Sequence, residues 1–217
     1  MSVEEFEKGS VGKSSLSYCV LKAILQPILW LLYRPVFHHA ERIPDNGATL
    51  LCGNHRCFLD PLFVCVATKR PVHYLTTESI YKNGLGFFLK LARAIPVLKH
   101  DPSHRTLIAA ERELLRGGVI GLFPEGTRNY TDEILLPFRY GAVRLSKATG
   151  ATIVPLAITG RFIPLVSRIH VYFGEPCALE EDANLEEENE KLRKTVYDLY
   201  TEHARVRDDT RLRKIRY

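Results

Sequence analysis

Short apolar runs alternate with more polar segments along most of the chain. The runs at 48–53 and 119–123 are brief and almost wholly apolar, as expected for strands that are buried on both faces of a sheet. Further extended segments are predicted at 72–76, 95–98, 152–159 and 170–173. The intervening segments predict helices at 85–94, 103–116, 140–149 and 184–207. Strands that alternate with helices in this way predict an α/β sandwich around a largely parallel sheet.

An apolar segment precedes this alternation, at 23–33, and is interrupted only by Gln26 and Pro27. It has about half of the ~20 residues that a membrane-spanning helix needs. Trp30 lies close to Arg34, a composition typical of a helix at a membrane surface. The apolar side chains expected to enter that surface are Leu25, Ile28, Leu29, Trp30 and Leu32, with Lys22 and Arg34 meeting lipid phosphates. A helix that packs on the core is the main alternative, and a true span is a lesser one.

We therefore divide the chain into an N-terminal interfacial helical segment, residues 1–40, and one further domain, residues 41–217. The formal net charge of +5 fits a partner that carries phosphate: an anionic membrane, nucleic acid or a phosphorylated substrate. The five cysteines form no C-x-x-C pair, so we expect neither a zinc site nor a disulfide framework, and a reducing cytosol is favoured. The first residues are too acidic for the positive region of a signal peptide.

The first group of chemically active residues lies between the predicted strand at 48–53 and the helix that follows it. His55 stands in this connection, and Asp60 begins the next helix as its predicted N-cap. A carboxylate that reaches back to the imidazole would fix its tautomer and stabilise the imidazolium formed when it takes a proton. The alternative is a surface histidine beside an N-cap aspartate.

The second group follows the predicted strand at 119–123. Gly126 would let the backbone approach a ligand closely, and the planar guanidinium of Arg128 suits phosphate oxygens. An ordinary turn with a surface ion pair is the alternative for this fragment alone. Two strand ends that carry complementary chemistry favour an active site at the sheet edge, where ligands bind in open α/β folds.

Together these residues resemble the glycerolipid acyltransferase superfamily, and in particular the small bacterial 1-acylglycerol-3-phosphate acyltransferases. Asn54-His55 with Asp60 is similar to the N-H-x-x-x-x-D motif of that family, and residues 123–128 are similar to its F-P-E-G-T-R motif. Three further blocks resemble the family in order and spacing: 86–97 with Lys99-His100 just beyond, 138–142 and 153–156. The resemblance ends near residue 174. Asn129 and Lys99 depart from the serine and arginine that are common at their places.

The resemblance implies a direct acyl transfer with His55 as the base and Asp60 as the residue that orients it. His55 would deprotonate the acceptor hydroxyl, which would attack an acyl thioester. The residues expected to bind the acceptor phosphate or shape its pocket are Lys99, His100, Glu125, Gly126, Thr127 and Arg128, with Glu125 positioning the loop. No metal or other cofactor is implied, because acyl-CoA or acyl-ACP enters as a substrate.

The expected product is phosphatidic acid, formed from 1-acylglycerol 3-phosphate at the cytoplasmic face of the cell membrane by a peripheral enzyme. Glycerol 3-phosphate or another lysophospholipid is an alternative acceptor, and a non-catalytic lipid-binding protein is an alternative class. Cys57 offers a rival, ping-pong route through an acyl-enzyme. The expected partners are the two lipid substrates, an anionic membrane surface and, for one donor, acyl carrier protein. Nucleic acid is not expected, because acidic residues interrupt the basic C-terminal run at 205–216.

Overall fold

The computed structural model describes residues 16–77, 89, 92, 94–97 and 105–204 of the chain. The strands among these residues are β1 (Val36–His38), β2 (Thr49–Gly53), β3 (Val72–Thr77), β4 (Ile95–Val97), β5 (Val119–Leu122), β6 (Thr152–Thr159) and β7 (His170–Phe173). The α-helices are α1 (Leu16–Tyr33), α2 (Asp60–Ala67), α3 (Arg105–Leu115), α4 (Gly141–Thr149) and α5 (Leu185–His203), with a 3-10 helix at Ala40–Arg42.

The seven strands form one sheet in the order β1-β7-β6-β2-β5-β3-β4. All neighbouring pairs are parallel except β6 with β7, so β1 and β7 run against the other five strands. At the centre, Leu50 of β2 is in register with Ile120 of β5 on one side and with Ile153 of β6 on the other. The predicted α/β fold with a largely parallel sheet is confirmed.

Helices cover both faces of the sheet because successive strand residues point to opposite sides. Leu50 of β2 packs into a cluster with Leu114, Val143 and Val196, which belong to α3, α4 and α5. The next residue, Leu51, packs on the other face with side chains of α1 and α2. Parallel strands that are buried on both faces have near-continuous apolar sequences, which explains the runs that predicted β2 and β5.

Helix α1 is longer than its apolar segment indicated, with 18 residues and Pro27 inside it. Its buried residues are Tyr18, Leu21, Leu29 and Tyr33. By length and composition this helix could cross a membrane, although a helix of a protein core passes the same test. The division of the chain at residue 40 stays a prediction.

Most differences from the predicted elements lie at their ends. The helix predicted at 184–207 begins after Asn184, whose side chain accepts the N–H of Glu186, and α5 ends at His203. The helix predicted at 85–94 lies almost entirely outside the described residues. The prediction that Asp60 is an N-cap is wrong: Leu59 occupies that position, and Asp60 is the first residue of α2. Its carboxylate is turned away from its own helix, towards the preceding loop.

Candidate active site

Two loops meet at the carboxyl edge of the sheet, one after β2 and one after β5. The two strands are parallel neighbours, with Cys52 in register with Leu122, so the loops leave the sheet side by side. Asn54 fixes the start of the first loop. Its buried side chain donates to the carbonyl oxygen of Ile158 at 3.1 Å and accepts the N–H of the same residue at 2.7 Å. Asn54 therefore ties the first loop to β6, the other neighbour of β2.

Asp60 is fully buried, and one of its oxygens collects three hydrogen bonds from the first loop. Its Oδ2 lies 2.9 Å from Nδ1 of His55 and accepts the N–H groups of Arg56 and Cys57 at 2.7 Å each. A carboxylate acceptor at Nδ1 requires the proton of a neutral His55 to be on that nitrogen. Nε2 is then the nitrogen with a free lone pair, which is the arrangement that a general base needs.

The imidazole ring of His55 lies between its loop and the second loop. It stacks on Phe123 with ring centroids 4.2 Å apart and an interplanar angle of 10°, and Phe123 stacks in turn on Tyr74. The His55 side chain is 17% exposed, so solvent or a substrate can reach the ring. The stacking and the bond to Asp60 together fix the direction in which Nε2 points.

Glu125 connects the two loops through its buried carboxylate. One oxygen accepts the backbone N–H of His55 at 2.8 Å, and the other accepts the N–H of Leu136 at 2.9 Å. A backbone bond from the N–H of Asn129 to the carbonyl oxygen of His55, 2.8 Å, makes a second connection. Glu125 therefore ties the backbone of His55 to the second loop.

The backbone at Gly126 has φ of 70°, a conformation that favours glycine. A Cβ there would lie 2.5 Å from Nε of Arg139, so the glycine lets the Arg139 side chain lie directly against this loop. Thr127 and Arg128 are exposed beside it, and the Arg128 guanidinium lies 5.3 Å from the ring of Tyr130. The loop after β5 thus carries the cations of both Arg128 and Arg139.

Arg139 was not among the predicted site residues, although it lies in the block at 138–142 that carried the family resemblance. Its backbone N–H donates to the carbonyl oxygen of Pro124 at 2.8 Å, which brings the end of the second loop back to its start. The predicted residues Lys99 and His100 lie outside the described residues. The structure thus brings together all the predicted site residues that it describes: His55, Asp60, Glu125, Gly126, Thr127 and Arg128.

Cys57 is half-buried in the same loop as His55. Burial is the largest influence on the pKa of the Cys57 thiol and raises it, as does the charge of Asp60; a hydrogen bond to the backbone of Leu59 and the charge of Arg128 lower the pKa without reversing its direction. A raised pKa keeps the thiol protonated at neutral pH, and the thiolate is the reactive nucleophile. The electrostatic setting of Cys57 therefore disfavours the ping-pong route.

Sequence similarity to known proteins identifies the family of this chain. The acyltransferase family model matches residues 34–159, which is more than half of the chain. The chain belongs to the acyltransferase family. The match includes the loops of the acyltransferase that carry His55, Asp60 and Glu125–Arg128, and it ends before α5. The predicted family is confirmed.

Curated relatives of this acyltransferase share the name 1-acyl-sn-glycerol-3-phosphate acyltransferase, which denotes an O-acyltransferase, as predicted. The protein of Bacillus subtilis is 27% identical over 68% of this chain and 76% of its own length. That of Borreliella burgdorferi is 26% identical over 66% of this chain, and that of Cocos nucifera is 29% identical over 61%. The matches span 58% and 44% of these two relatives.

A solved structure shares the fold of this acyltransferase. The crystal structure of PlsC from Thermotoga maritima, a 1-acyl-sn-glycerophosphate acyltransferase, superposes with a TM-score of 0.68. The alignment covers 82% of this chain and 76% of PlsC, with 20% sequence identity. The similarity establishes the fold, including the mostly parallel sheet.

Proposed function

We propose that this acyltransferase moves a fatty acyl group from an acyl thioester to the free hydroxyl of 1-acylglycerol 3-phosphate, giving phosphatidic acid. The observation that carries the proposal is the bond between Nδ1 of His55 and Asp60, in a loop held by the Glu125–Arg128 segment. An oriented base beside a cation-bearing loop suits a phosphorylated alcohol. The shared name of the relatives supports this acceptor.

In the proposed reaction, Nε2 of His55 takes the proton of the acceptor hydroxyl while the hydroxyl oxygen bonds to the thioester carbonyl carbon. The carbon–sulfur bond then breaks, and the thiolate leaves with the proton returned by the imidazolium. Asp60, held by two backbone N–H groups, stabilises the imidazolium without taking its proton. The reaction needs no cofactor besides the donor, acyl-CoA or acyl-ACP.

The acceptor phosphate is proposed to bind at the second loop. Arg128 offers an exposed guanidinium there, and Gly126 lets the Arg139 side chain lie against the same loop. Lys99 and His100 are proposed to complete the phosphate site, with Thr127 shaping its wall. Glycerol 3-phosphate and other lysophospholipids offer the same phosphate chemistry and are the alternative acceptors.

The membrane is proposed to contact α1. Its exposed apolar side chains recur at helical spacing on the side away from the core: Leu16, Val20, Ile24, Ile28 and Leu31, with Trp30 beside them. The two cations that flank its apolar segment, Lys22 within α1 and Arg34 just after it, are hydrogen-bonded within the protein: Lys22 donates to the carbonyl oxygen of Thr68, and Arg34 donates to those of Leu165 and Val166. Apolar contact therefore carries the proposed peripheral attachment at the cytoplasmic face.

Release of thiol from an acyl thioester tests the proposed reaction. We expect release from acyl-CoA or acyl-ACP to depend on lysophosphatidate in vesicles, and His55→Ala to slow it by about 10²–10⁴-fold, the usual contribution of a general base. His39→Asn is the matched control, because His39 is exposed and has the left-handed backbone that asparagine tolerates. Lipid binding without thiol release would instead identify a non-catalytic lipid-binding protein.

A further inference from the structure

The C-terminal helix α5 lies beyond the matched family region, yet it reaches the loop of the base. Nη1 of Arg56 donates a hydrogen bond of 2.5 Å to the hydroxyl of Tyr200, and its guanidinium carbon lies 5.5 Å from the ring centroid. Tyr200 is fully buried and Arg56 is half-buried, so this bond is partly shielded from water. A charged donor in such a place makes a strong hydrogen bond.

Arg56 is also the residue whose backbone N–H supports Asp60. The N–H groups of Arg56 and Cys57 donate to the same oxygen that faces His55. Arg56 is thus bound at both ends, through its backbone to Asp60 and through its side chain to Tyr200. A shift of the guanidinium would therefore move the backbone of the turn, and with it the two N–H groups that donate to Asp60.

Helix α5 is itself well anchored. Leu192, Val196 and Tyr200 are buried in the core on one face of the sheet. The buried side chain of Asn189 donates to the carbonyl oxygen of Phe138 at 2.9 Å, next to Arg139 at the end of the second loop. The helix therefore contacts both active-site loops, one through Asn189 and the other through Tyr200.

We infer that α5 positions the base, with Tyr200 acting through Arg56 on the His55–Asp60 pair. Tyr200 is a positioning residue that touches no substrate and acts through its hydrogen bond with the Arg56 side chain. The inference rests on the proposed function. It predicts that loss of the Tyr200 hydroxyl lowers kcat and leaves the acceptor KM almost unchanged.

The test compares Tyr200→Phe with Tyr197→Phe. The first change removes the acceptor of Arg56 and keeps the buried ring. The second removes a hydroxyl from the same helix that has no hydrogen-bond partner among the described residues. We expect kcat of folded Tyr200→Phe to fall by about 10–100-fold, the scale of a small misplacement in an active site. Tyr197→Phe should behave as the wild type.

A double-mutant cycle distinguishes an effect of Tyr200 that passes through Arg56 from a general effect on the stability of the fold. If Tyr200 acts through Arg56, the variant Arg56→Ala with Tyr200→Phe should be no slower than Arg56→Ala alone. Multiplied losses, or an unchanged kcat in folded Tyr200→Phe, would overturn the inference.

Proton NMR gives a readout that does not depend on turnover. The Nδ1–H of His55, bonded to Asp60, should give a downfield proton signal that His55→Ala removes. We expect Tyr200→Phe to shift or broaden this signal and Tyr197→Phe to leave it in place. The same signal in the wild type, Tyr200→Phe and Tyr197→Phe would contradict the inference. Absence of acyl transfer by the wild type would instead contradict the proposed reaction.

Discussion

At the scale of single residues, three contacts from different parts of the chain set the orientation of His55. Asp60 accepts from its Nδ1, Phe123 lies against its ring, and Glu125 accepts from its backbone N–H. The bond to Asp60 selects the tautomer, the contact with Phe123 fixes the plane of the ring, and the bond to Glu125 fixes the position of the backbone. His55, the proposed base, is therefore held before any substrate arrives, which would lower the entropy cost of reaching a reactive geometry.

Arg128 is an exposed cation, and its proposed role in binding the acceptor phosphate can be tested directly. Arg128→Ala should raise the acceptor KM by about 10–150-fold and leave the donor KM nearly unchanged, because a hydrogen bond to a charged group contributes about 1.5–3 kcal/mol. Arg116→Ala is the matched control, since Arg116 is also exposed but lies before β5, at the opposite end of that strand. Equal rises in both KM values would make Arg128 a structural residue.

The sequence predicted which residues would meet at the site, but not how Asp60 meets them. The five-residue spacing allowed the carboxylate either to cap α2 or to reach back to the loop. Asp60 reaches back to the loop because it accepts two N–H groups there. These N–H groups point at the carboxylate only because the backbone reverses its direction in the loop, and residue types do not reveal such a reversal. Arg139 was missed for a similar reason, because its approach to Gly126 depends on the fold of a long loop.

At the scale of elements, the loops after β2 and β5 behave as one unit. Glu125 and Asn129 bond to the backbone of His55, and Phe123 packs on its ring. The alternation of apolar and polar segments predicted the strands that carry these loops. It could not predict that β2 pairs with both β5 and β6, because pairing between distant strands is decided by the packing of the whole sheet.

Glu125→Gln tests this connection. A glutamine has one acceptor oxygen and an NH₂ group, so it cannot accept both the His55 and the Leu136 N–H in their present places. A buried N–H without its acceptor costs about 1–3 kcal/mol, so we expect a lower melting temperature and a lower kcat. The exposed Glu181→Gln should change neither. If Glu125→Gln melts normally and raises only the acceptor KM, then Glu125 binds substrate instead of holding the loop.

At the scale of the whole molecule, the sheet separates two unlike surfaces. Helices α3, α4 and α5 cover one face, and α1 and α2 cover the other. The apolar composition of α1 predicted a membrane contact, but composition alone could not show which side chains face the core. Leu29, expected at the membrane, is 3% exposed and belongs to the core, whereas Leu31 is 70% exposed. The Lys22 amine donates to the carbonyl oxygen of Thr68 and so points into the protein, not towards lipid, and burial lowers its pKa.

The exposed apolar face of α1 is the proposed site of membrane contact for the whole protein. Ile28→Asp with Leu31→Asp should release the protein from anionic vesicles in a sedimentation assay, because each large apolar side chain withdrawn from water contributes about 1.5–3 kcal/mol. Both side chains point away from the core, so the melting temperature should hardly change. Activity on a short-chain, water-soluble acceptor should survive better than activity on acceptor in vesicles.

The matched control for this variant is Ile108→Asp with Leu115→Asp. These two side chains are also exposed and apolar, but they belong to α3 on the other face of the sheet. The control adds the same charge and should leave vesicle binding intact if α1 is the contact. Equal release by both variants would mean that added negative charge repels the protein from anionic lipid. Continued binding by the α1 variant would place the membrane contact elsewhere on the molecule.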